Sequence, residues 1–417
     1  GIFAFFLEAT FVAVMSFGWK KVSPGFHLAS TWLTAFGVAL SAWWILVANA
    51  WMQYPVGMEF DPDQMRNVMT DFSAVALSPV AVNKFFHAVF STWTLAGVFV
   101  VGVSAWLLWR KRNVEAARLS IKIGTWVGLA GIVLTLWTGD GSAVNVARVQ
   151  PMKLAAMEGL YDGKVGQELV GFGFVNTDKK PGDDLPAIHA EISIPYGLSV
   201  LANHDPNSFV PGINDLIKGV SLTPQGDTIN TVSYAERISM GREAREALAA
   251  YSTARKSGDE SAAATALKTL RDNYKYFGYG YFDEPADAVP PVAITFYSFR
   301  VMVITGGYLL LLFVMLIFVY YRKAEFLEKP WLHWVCIISI PLVWICSQAG
   351  WVLAEVGRQP WTIQDLLPVQ AAVSAIPSGN VVLTFCLFAL LFTMLLAAEI
   401  SIMLRYISRK SKTNIME

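Results

Sequence analysis

Seven apolar runs, each long enough to cross a bilayer, constrain this chain more than any other feature. A spanning helix needs about 20 consecutive apolar residues. Such runs cover Gly1–Gly18, His27–Gln53, Asn83–Trp109, Ser120–Thr138, Ile294–Tyr321, Trp331–Val356 and Val381–Tyr406. In lipid every backbone polar group must be satisfied within the segment, so runs of this length fold as helices. The fold class is all-α: a polytopic transmembrane helix bundle with one large loop outside the bilayer. Composition agrees, with 54% hydrophobic and only 15% charged residues, and the 15 Trp suit interfacial belts. The formal net charge of +0 suggests no nucleic-acid partner. Cys336, Cys346 and Cys386 all lie inside apolar runs and read as small buried hydrophobes, not as disulfides or a zinc site.

Basic residues set the orientation. Lys20 and Lys21 follow the first run; Arg110, Lys111, Arg112, Arg118 and Lys122 join the third and fourth. Arg322, Lys323 and Lys329 join the fifth and sixth, and Arg405, Arg409, Lys410 and Lys412 follow the seventh. The alternate connections are poor in Lys and Arg, with Arg66 alone among Glu59, Asp61, Asp63 and Asp71, and Arg358 alone between the last two runs. The positive-inside rule puts the basic ends in the cytoplasm and Gly139–Pro290 outside. The chain therefore divides into membrane helices over 1–138, an extracytoplasmic loop over 139–290 and membrane helices over 291–417. Within the loop, Gly171–Asp184 and Asn203–Asp227 read as irregular, while Ala235–Ser252 and Ser261–Tyr274 carry helical patterns. The chain opens inside an apolar run without Met, which reads as a fragment lacking its N-terminus.

Charge inside a membrane-length segment is expensive and is a functional hypothesis by default. Trp351, Glu355 and Arg358 fall at i, i+4 and i+7 and share one helical face. Of the five histidines, only His87 lies within a run near the outer face, roughly 6 Å deep at 1.5 Å per residue. Met302 lies about 12 Å in, Glu8 about 10 Å in, and Glu355 just inside the same face. Each alone reads as packing or boundary. Their shared depth with Arg300 and Arg358 argues for a buried redox cofactor, since His and Met are a usual axial pair for low-spin haem. No run carries two histidines, and no copper ligand set is available. Lys153 and Glu158, just outside the fourth run, sit five apart and share a face only loosely; alone they read as a solvated amphipathic turn.

Together these residues resemble subunit I of the cytochrome bd quinol oxidase family over nearly the whole chain. The resemblance is carried by Gly1–Phe11, Ser41–Asn49, Lys84-Phe85-Phe86-His87, Lys153-Leu154-Ala155-Ala156-Met157-Glu158, Phe299-Arg300-Val301-Met302 and Gly357-Arg358-Gln359-Pro360-Trp361, in the family's order. It implies that His87 and Met302 are the axial ligands of a low-spin haem b, with Arg300 beside it. It implies that Glu355 ligates a high-spin haem, that Trp351 stands between haems and that Arg358 offsets propionate charge. Lys153 and Glu158 match quinol-site residues in a long quinol-binding loop, and Glu8 matches a glutamate on the proton route. The cofactors implied are low-spin haem b, high-spin haem b and haem d, without copper. The partners implied are subunit II, a small accessory subunit, quinol, oxygen and membrane lipid, in the bacterial cytoplasmic (inner) membrane. The family has nine spans against the seven seen here, and the missing pair carries the histidine of the third haem.

The activity implied is quinol oxidation at the outer face, with electrons passing through haems to reduce oxygen to water. Protons for water come from the cytoplasm by way of carboxylates such as Glu8, so proton motive force arises without pumping. Two other readings share these residues: a haem-b electron-transfer subunit that handles quinol without reducing oxygen, and a cofactor-free transporter or scaffold subunit.

Overall fold

The computed structural model describes residues 2–62, 64, 66–222 and 227–408. Gly1, Asp63, Arg409, Lys410 and Lys412, used above, lie outside the described residues. In chain order the helices are α1 (Ile2–Phe17), α2 (Pro24–Gln53), α3 (Phe72–Ala76), α4 (Pro79–Trp109), α5 (Val114–Val149), α6 (Pro151–Glu158), α7 (Gly197–Asn203), α8 (Ile213–Lys218), α9 (Tyr234–Ser257), α10 (Glu260–Asn273), α11 (Val292–Arg322), α12 (Pro330–Val356) and α13 (Ser378–Ser408). Among the described residues six helices are long and apolar enough to cross a membrane, ending at Gln53, Trp109, Val149, Arg322, Val356 and Arg405. The first of the seven apolar runs folds as α1, an apolar helix of only 16 residues. The chain is a multi-pass membrane protein of mostly helical structure.

The polar loop differs from its sequence reading at its start and in its irregular stretches. Helix α5 continues past Thr138 to Val149. Gly171–Val175 belongs to strand β4 (Leu169–Val175), which pairs antiparallel with β5 (Ile188–Ile194). Asn203–Asp227, expected to be irregular, contains a two-residue strand at Phe209–Val210, helix α8 and a strand at Val220–Leu222. Alternating aromatics at Phe172 and Phe174 supply the β pattern that the glycines obscured. The two helical patterns do form helices. Ser233 and Glu236 make a reciprocal capping box at the start of α9, and the Asp259 side chain accepts from Ala262 N at the start of α10.

The chain forms two compact units. One comprises Gly1–Thr92, Val133–Ile304 and Cys346–Ala371, the other Trp93–Ile132, Thr305–Ile345 and Ala372–Glu417. The second unit has an aliphatic core around Phe313, Leu309, Leu316, Val98 and Val101, and α13 exposes its apolar residues along its length. The first unit holds the candidate site residues. In it α6 begins on Pro151, whose fixed φ suits a first helical turn. It ends at Gly159, which adopts the left-handed conformation (φ 62°) and donates to the last carbonyls. All residues from Met152 to Glu158 are buried, so α6 is a core helix and the expectation of a solvated turn is wrong. An Ala-rich octet with only two charges is short enough to pack wholly inside if both charges find partners.

Candidate functional site

Both charges on α6 do find partners, on different sides. Glu158 is 2% exposed and its Oε2 accepts from Arg300 Nη2 at 2.6 Å. Arg300, on α11, also donates from Nη2 to Val170 O at 2.7 Å, from Nε to the same carbonyl at 3.2 Å, and from Nη1 to Met157 O. Its guanidinium lies 3.7 Å over the Phe296 ring. The planar fork is thus spread over one carboxylate and two backbone carbonyls, a geometry that lysine could not reproduce. The second carboxylate oxygen, Glu158 Oε1, is buried and has no hydrogen-bond partner. Glu158 also lines a cavity of about 310 Å³, together with Tyr161, Gln167, Lys179, Ile188 and Leu198. Burial pushes the Glu158 carboxyl up to about 7 despite the neighbouring Arg300.

Lys153 turns the other way. Its Nζ donates to Ala354 O at 3.0 Å and to Gln53 Oε1 at 3.2 Å. Burial brings this ammonium down to about 7; Lys84 and Arg358 reinforce that and Glu355 opposes it. Gln53 Nε2 donates to Asn49 Oδ1 at 3.3 Å, one turn back on α2. Asn49 then joins two helices: its Oδ1 accepts from Lys84 Nζ of α4, and its Nδ2 donates to Glu355 Oε1 at 2.8 Å. Glu355 Oε2 accepts from Arg358 Nη2 at 2.6 Å, and Arg358 Nη1 donates to Thr362 O at 2.8 Å. One carboxylate therefore sits among three cations, Lys84, Lys153 and Arg358. Glu355, read from the sequence as an intramembrane charge near the outer face, thus has polar and charged neighbours. The single Trp–Glu–Arg helical face is corrected: α12 ends at Val356, so Arg358 belongs to the turn beyond it and folds back on Glu355. Trp351 remains on the helix, 41% exposed.

His87 and Met302 occupy different helices, α4 and α11. His87 Nδ1 lies 3.1 Å from Thr138 Oγ1. The Thr138 hydroxyl has one proton, and carbonyls of its own helix take it: Leu134 O at 2.9 Å and Thr135 O at 3.1 Å. Thr138 Oγ1 must then accept from His87, which assigns the ring proton to Nδ1 and leaves the Nε2 lone pair free. That tautomer, fixed by a neighbouring acceptor, is what an axial histidine requires. Met302 packs against α12 at Gly350, where a Cβ would come within 3.1 Å of the thioether sulfur. Imidazole nitrogen and thioether sulfur are the donor types that an axial pair would need. Glu8, half-buried on α1, packs where Gly37 of α2 comes close to its backbone.

The structure thus joins Glu158 to Arg300, and Lys153 to Glu355 and Arg358 through α2. Glu8, Trp351, His87 and Met302 stand outside both networks. Sequence reasoning assigned no role to Asn49, Gln53, Lys84, Thr138 or Gln167. A signal existed for three of them: Asn49 and Gln53 are polar at i, i+4 within an apolar helix, and Lys84 is a cation in a span.

Comparison with known proteins agrees with this arrangement of helices and loop. Residues 1–411 match the family model described as cytochrome bd terminal oxidase subunit I. Cytochrome bd-II ubiquinol oxidase subunit 1 of Escherichia coli (strain K12) is 37% identical over 405 residues, 97% of this chain and 77% of that protein. Cytochrome bd ubiquinol oxidase subunit 1 of Bacillus subtilis (strain 168) is 29% identical over 411 residues, 98% of this chain and 73% of that protein. The structure of bd oxidase from Geobacillus thermodenitrificans shares the fold, with a TM-score of 0.67 at 24% identity over 97% of this chain and 75% of that one.

Proposed function

The chain belongs to the cytochrome bd terminal oxidase subunit I family, and we propose that it is the quinol-oxidising subunit of an oxygen reductase, with Glu158 as the group that meets the substrate. The observation that carries this reading is the divided state of one carboxylate in the wall of a cavity of about 310 Å³: Oε2 is held by Arg300, while Oε1 is buried and unpaired. Ligand cavities start at about that size. A buried acceptor without a partner suits a ligand that brings a hydroxyl donor, and a carboxyl pushed up to about 7 suits proton acceptance near neutral pH. A quinol brings that hydroxyl.

Haem, when bound, supplies the electron path from quinol to oxygen. His87 and Met302 would hold the low-spin haem b, and Thr138 would fix the His87 tautomer. Glu355 would serve a high-spin haem. The surplus of positive charge from Lys84, Lys153 and Arg358 suits anionic propionates, and the buried Arg358 Nε, which has no partner, is a donor left for such an oxygen. Glu8 would pass protons inward and Trp351 would lie between haems. The complete enzyme would carry high-spin haem b and haem d and assemble with subunit II in the bacterial inner membrane, with the loop on the outer side.

The test is a reduced-minus-oxidised optical spectrum of the assembled complex together with quinol kinetics of Glu158→Ala. A chlorin band with b-type bands, and loss of quinol oxidation at unchanged haem content, is the expected result. Absence of haem, or unaltered quinol kinetics, overturns the reading.

A further inference from the structure

The β4–β5 hairpin walls part of the Glu158 cavity and also carries an exposed apolar patch. Val170 of β4 and Ile188 and Glu191 of β5 line the cavity. Phe172, Phe174, Ile192 and Ile194 are instead each between 48% and 69% exposed. Phe172 pairs directly opposite Ile192, so the two share a face, and Ile194 follows two residues on along β5. The Phe172 and Phe174 rings meet edge to face at 5.3 Å. These four residues form one patch with no charge in it, and such a patch marks a contact with protein or membrane. The anchorage of the hairpin favours membrane. Val175 N, one residue from Phe174, donates to the Tyr297 hydroxyl at 3.0 Å, on the second turn of the spanning helix α11. Tyr297 belongs to a stripe of exposed apolar residues on α11, with Ile294, Val301 and Ile304, at i, i+3, i+7 and i+10. Tyr is also a residue of the membrane–water boundary. The hairpin is thus tied to a lipid-facing stripe at the end of a span.

We propose that the β4–β5 hairpin is a membrane-docking element, with Phe172, Phe174, Ile192 and Ile194 set against lipid acyl chains at the loop-side surface of the bilayer. A two-stranded sheet leaves its outer backbone N–H and C=O groups unpaired, which the hydrocarbon core does not tolerate. The hairpin therefore lies in the interface, where headgroups and water satisfy its edges while the apolar side chains reach the acyl boundary. Because the same hairpin walls the Glu158 cavity, docking sets that cavity at the level of the lipid headgroups. A substrate dissolved in the membrane then reaches it without crossing water. This consequence rests on the quinol reading above: the ligand is a quinol whose apolar tail stays in lipid while its ring enters the cavity.

The experiment is spin-label accessibility in the assembled oxidase, reconstituted into phosphatidylcholine vesicles. A nitroxide is attached at Phe174→Cys in a chain whose Cys336, Cys346 and Cys386 are replaced by Ala, and the signal of the same complex without Phe174→Cys is subtracted. The label should collide more with dissolved oxygen, which concentrates in lipid, than with a water-soluble nickel complex. Ile304→Cys on the α11 stripe serves as the lipid reference and Ser261→Cys on α10 as the aqueous one. A label at Phe174→Cys that behaves like the aqueous reference overturns the proposal. So does one shielded from both reagents, which would mean that a protein partner covers the patch. The kinetic arm is Phe172→Ser combined with Phe174→Ser, both at exposed positions, so haem content should hold. Apparent affinity falls with the docked fraction, so KM for a long-tailed quinol should rise about tenfold. KM for a short-tailed, water-soluble quinol should stay within about twofold. A parental KM for the long-tailed quinol overturns the delivery of substrate from lipid. Glu158→Gln separates the two readings: if it lowers oxidation of both quinols while the Phe pair changes neither, only the role of the hairpin fails. If neither set of variants alters quinol kinetics, the quinol reading of the cavity fails, and the collision measurement still decides whether the hairpin docks.

Discussion

Lys153 and Glu158 lie on one eight-residue helix yet serve two separate networks. Five residues at 100° each turn their side chains about 140° apart. Glu158 meets Arg300 of α11, and Lys153 meets Gln53 of α2 and the Ala354 carbonyl of α12. Helix α6 therefore joins the wall of the candidate quinol cavity to the cation cluster around Glu355.

Substitutions at the two residues should accordingly have different signatures. Glu158→Gln removes a proton acceptor and should lower kcat/KM for quinol about 10²-fold or more at constant haem content. Lys153→Ala leaves Gln53 and Ala354 O without their donor and takes one charge from around Glu355. It should disturb the high-spin haem bands as well as slow turnover. Steady-state kinetics beside optical spectra of both variants check this; identical haem spectra would contradict the division.

The pH profile follows from the same two groups. Burial pushes Glu158 up to about 7 and brings Lys153 down to about 7. Glu158 must be ionised to take a proton, so kcat/KM for quinol should rise with pH toward about 7. Lys153 must be charged to hold Gln53 and Ala354 O, so the rate should fall above about 7. The profile is a bell with its maximum near neutrality. Glu158→Gln should lose the acid limb and Lys153→Met the alkaline one. A profile flat between about pH 5 and 9 would refute the assignment.

Arg300 is the keystone of the Glu158 side. Arg300→Leu leaves a buried carboxylate and the Met157 and Val170 carbonyls without their donor, which should cost about 3–5 kcal/mol. Adding Glu158→Leu removes the stranded charge and should recover part of that loss. Thermal unfolding of the detergent-solubilised complex, single against double variant, measures it. A double variant less stable than Arg300→Leu alone would be the contrary result.

Local features of this fold are legible in the sequence, and long-range pairings are not. Apolar runs of spanning length determine the helices, and Ser233, Glu236 and Asp259 mark the starts of α9 and α10. The Lys-Leu-Ala-Ala-Met-Glu hexapeptide drew attention by its family resemblance, yet its own pattern suggested a solvated turn. Its burial depends on Arg300, 142 positions away, and on Ala354, 201 positions from Lys153. Asn49 and Glu355 are separated by 306 positions. The glycines of β4 misled for a simpler reason: they read as turn residues, while Phe172 and Phe174 carried the strand.

Glu355 and Glu8 should separate a ligand from a proton carrier. Glu355 is engaged by Asn49 and Arg358, and Glu355→Gln would leave Lys84, Lys153 and Arg358 uncompensated. High-spin haem signal should fall in that variant. Glu8 stands outside that network, and Glu8→Gln keeps shape and polarity but cannot carry a proton. Oxygen uptake should then fall more than haem content. Haem quantitation beside oxygen uptake decides: full uptake in Glu8→Gln makes Glu8 structural, and full haem in Glu355→Gln removes it as a ligand.

The low-spin site gives the most direct test of a hydrogen bond's role. Met302→Leu is nearly volume-conserving, so its packing cost should be small while a sulfur ligand is lost; His87→Ala removes the other ligand. Both should abolish the six-coordinate low-spin spectrum with the protein still in the membrane. Thr138→Val is the finer probe. It keeps the shape of a residue that is 5% exposed and deletes only the oxygen that accepts from His87 Nδ1. Without that acceptor the Thr135 carbonyl alone orients the ring, and imidazole basicity falls. Retention of the low-spin haem should weaken roughly 10–100-fold, with its reduction potential displaced, while Thr138→Ser keeps both near the parent's. A Thr138→Val complex with parental haem affinity and potential would show that the Thr138 hydroxyl does not position His87. A normal low-spin spectrum in both His87→Ala and Met302→Leu would show that the haem is held elsewhere.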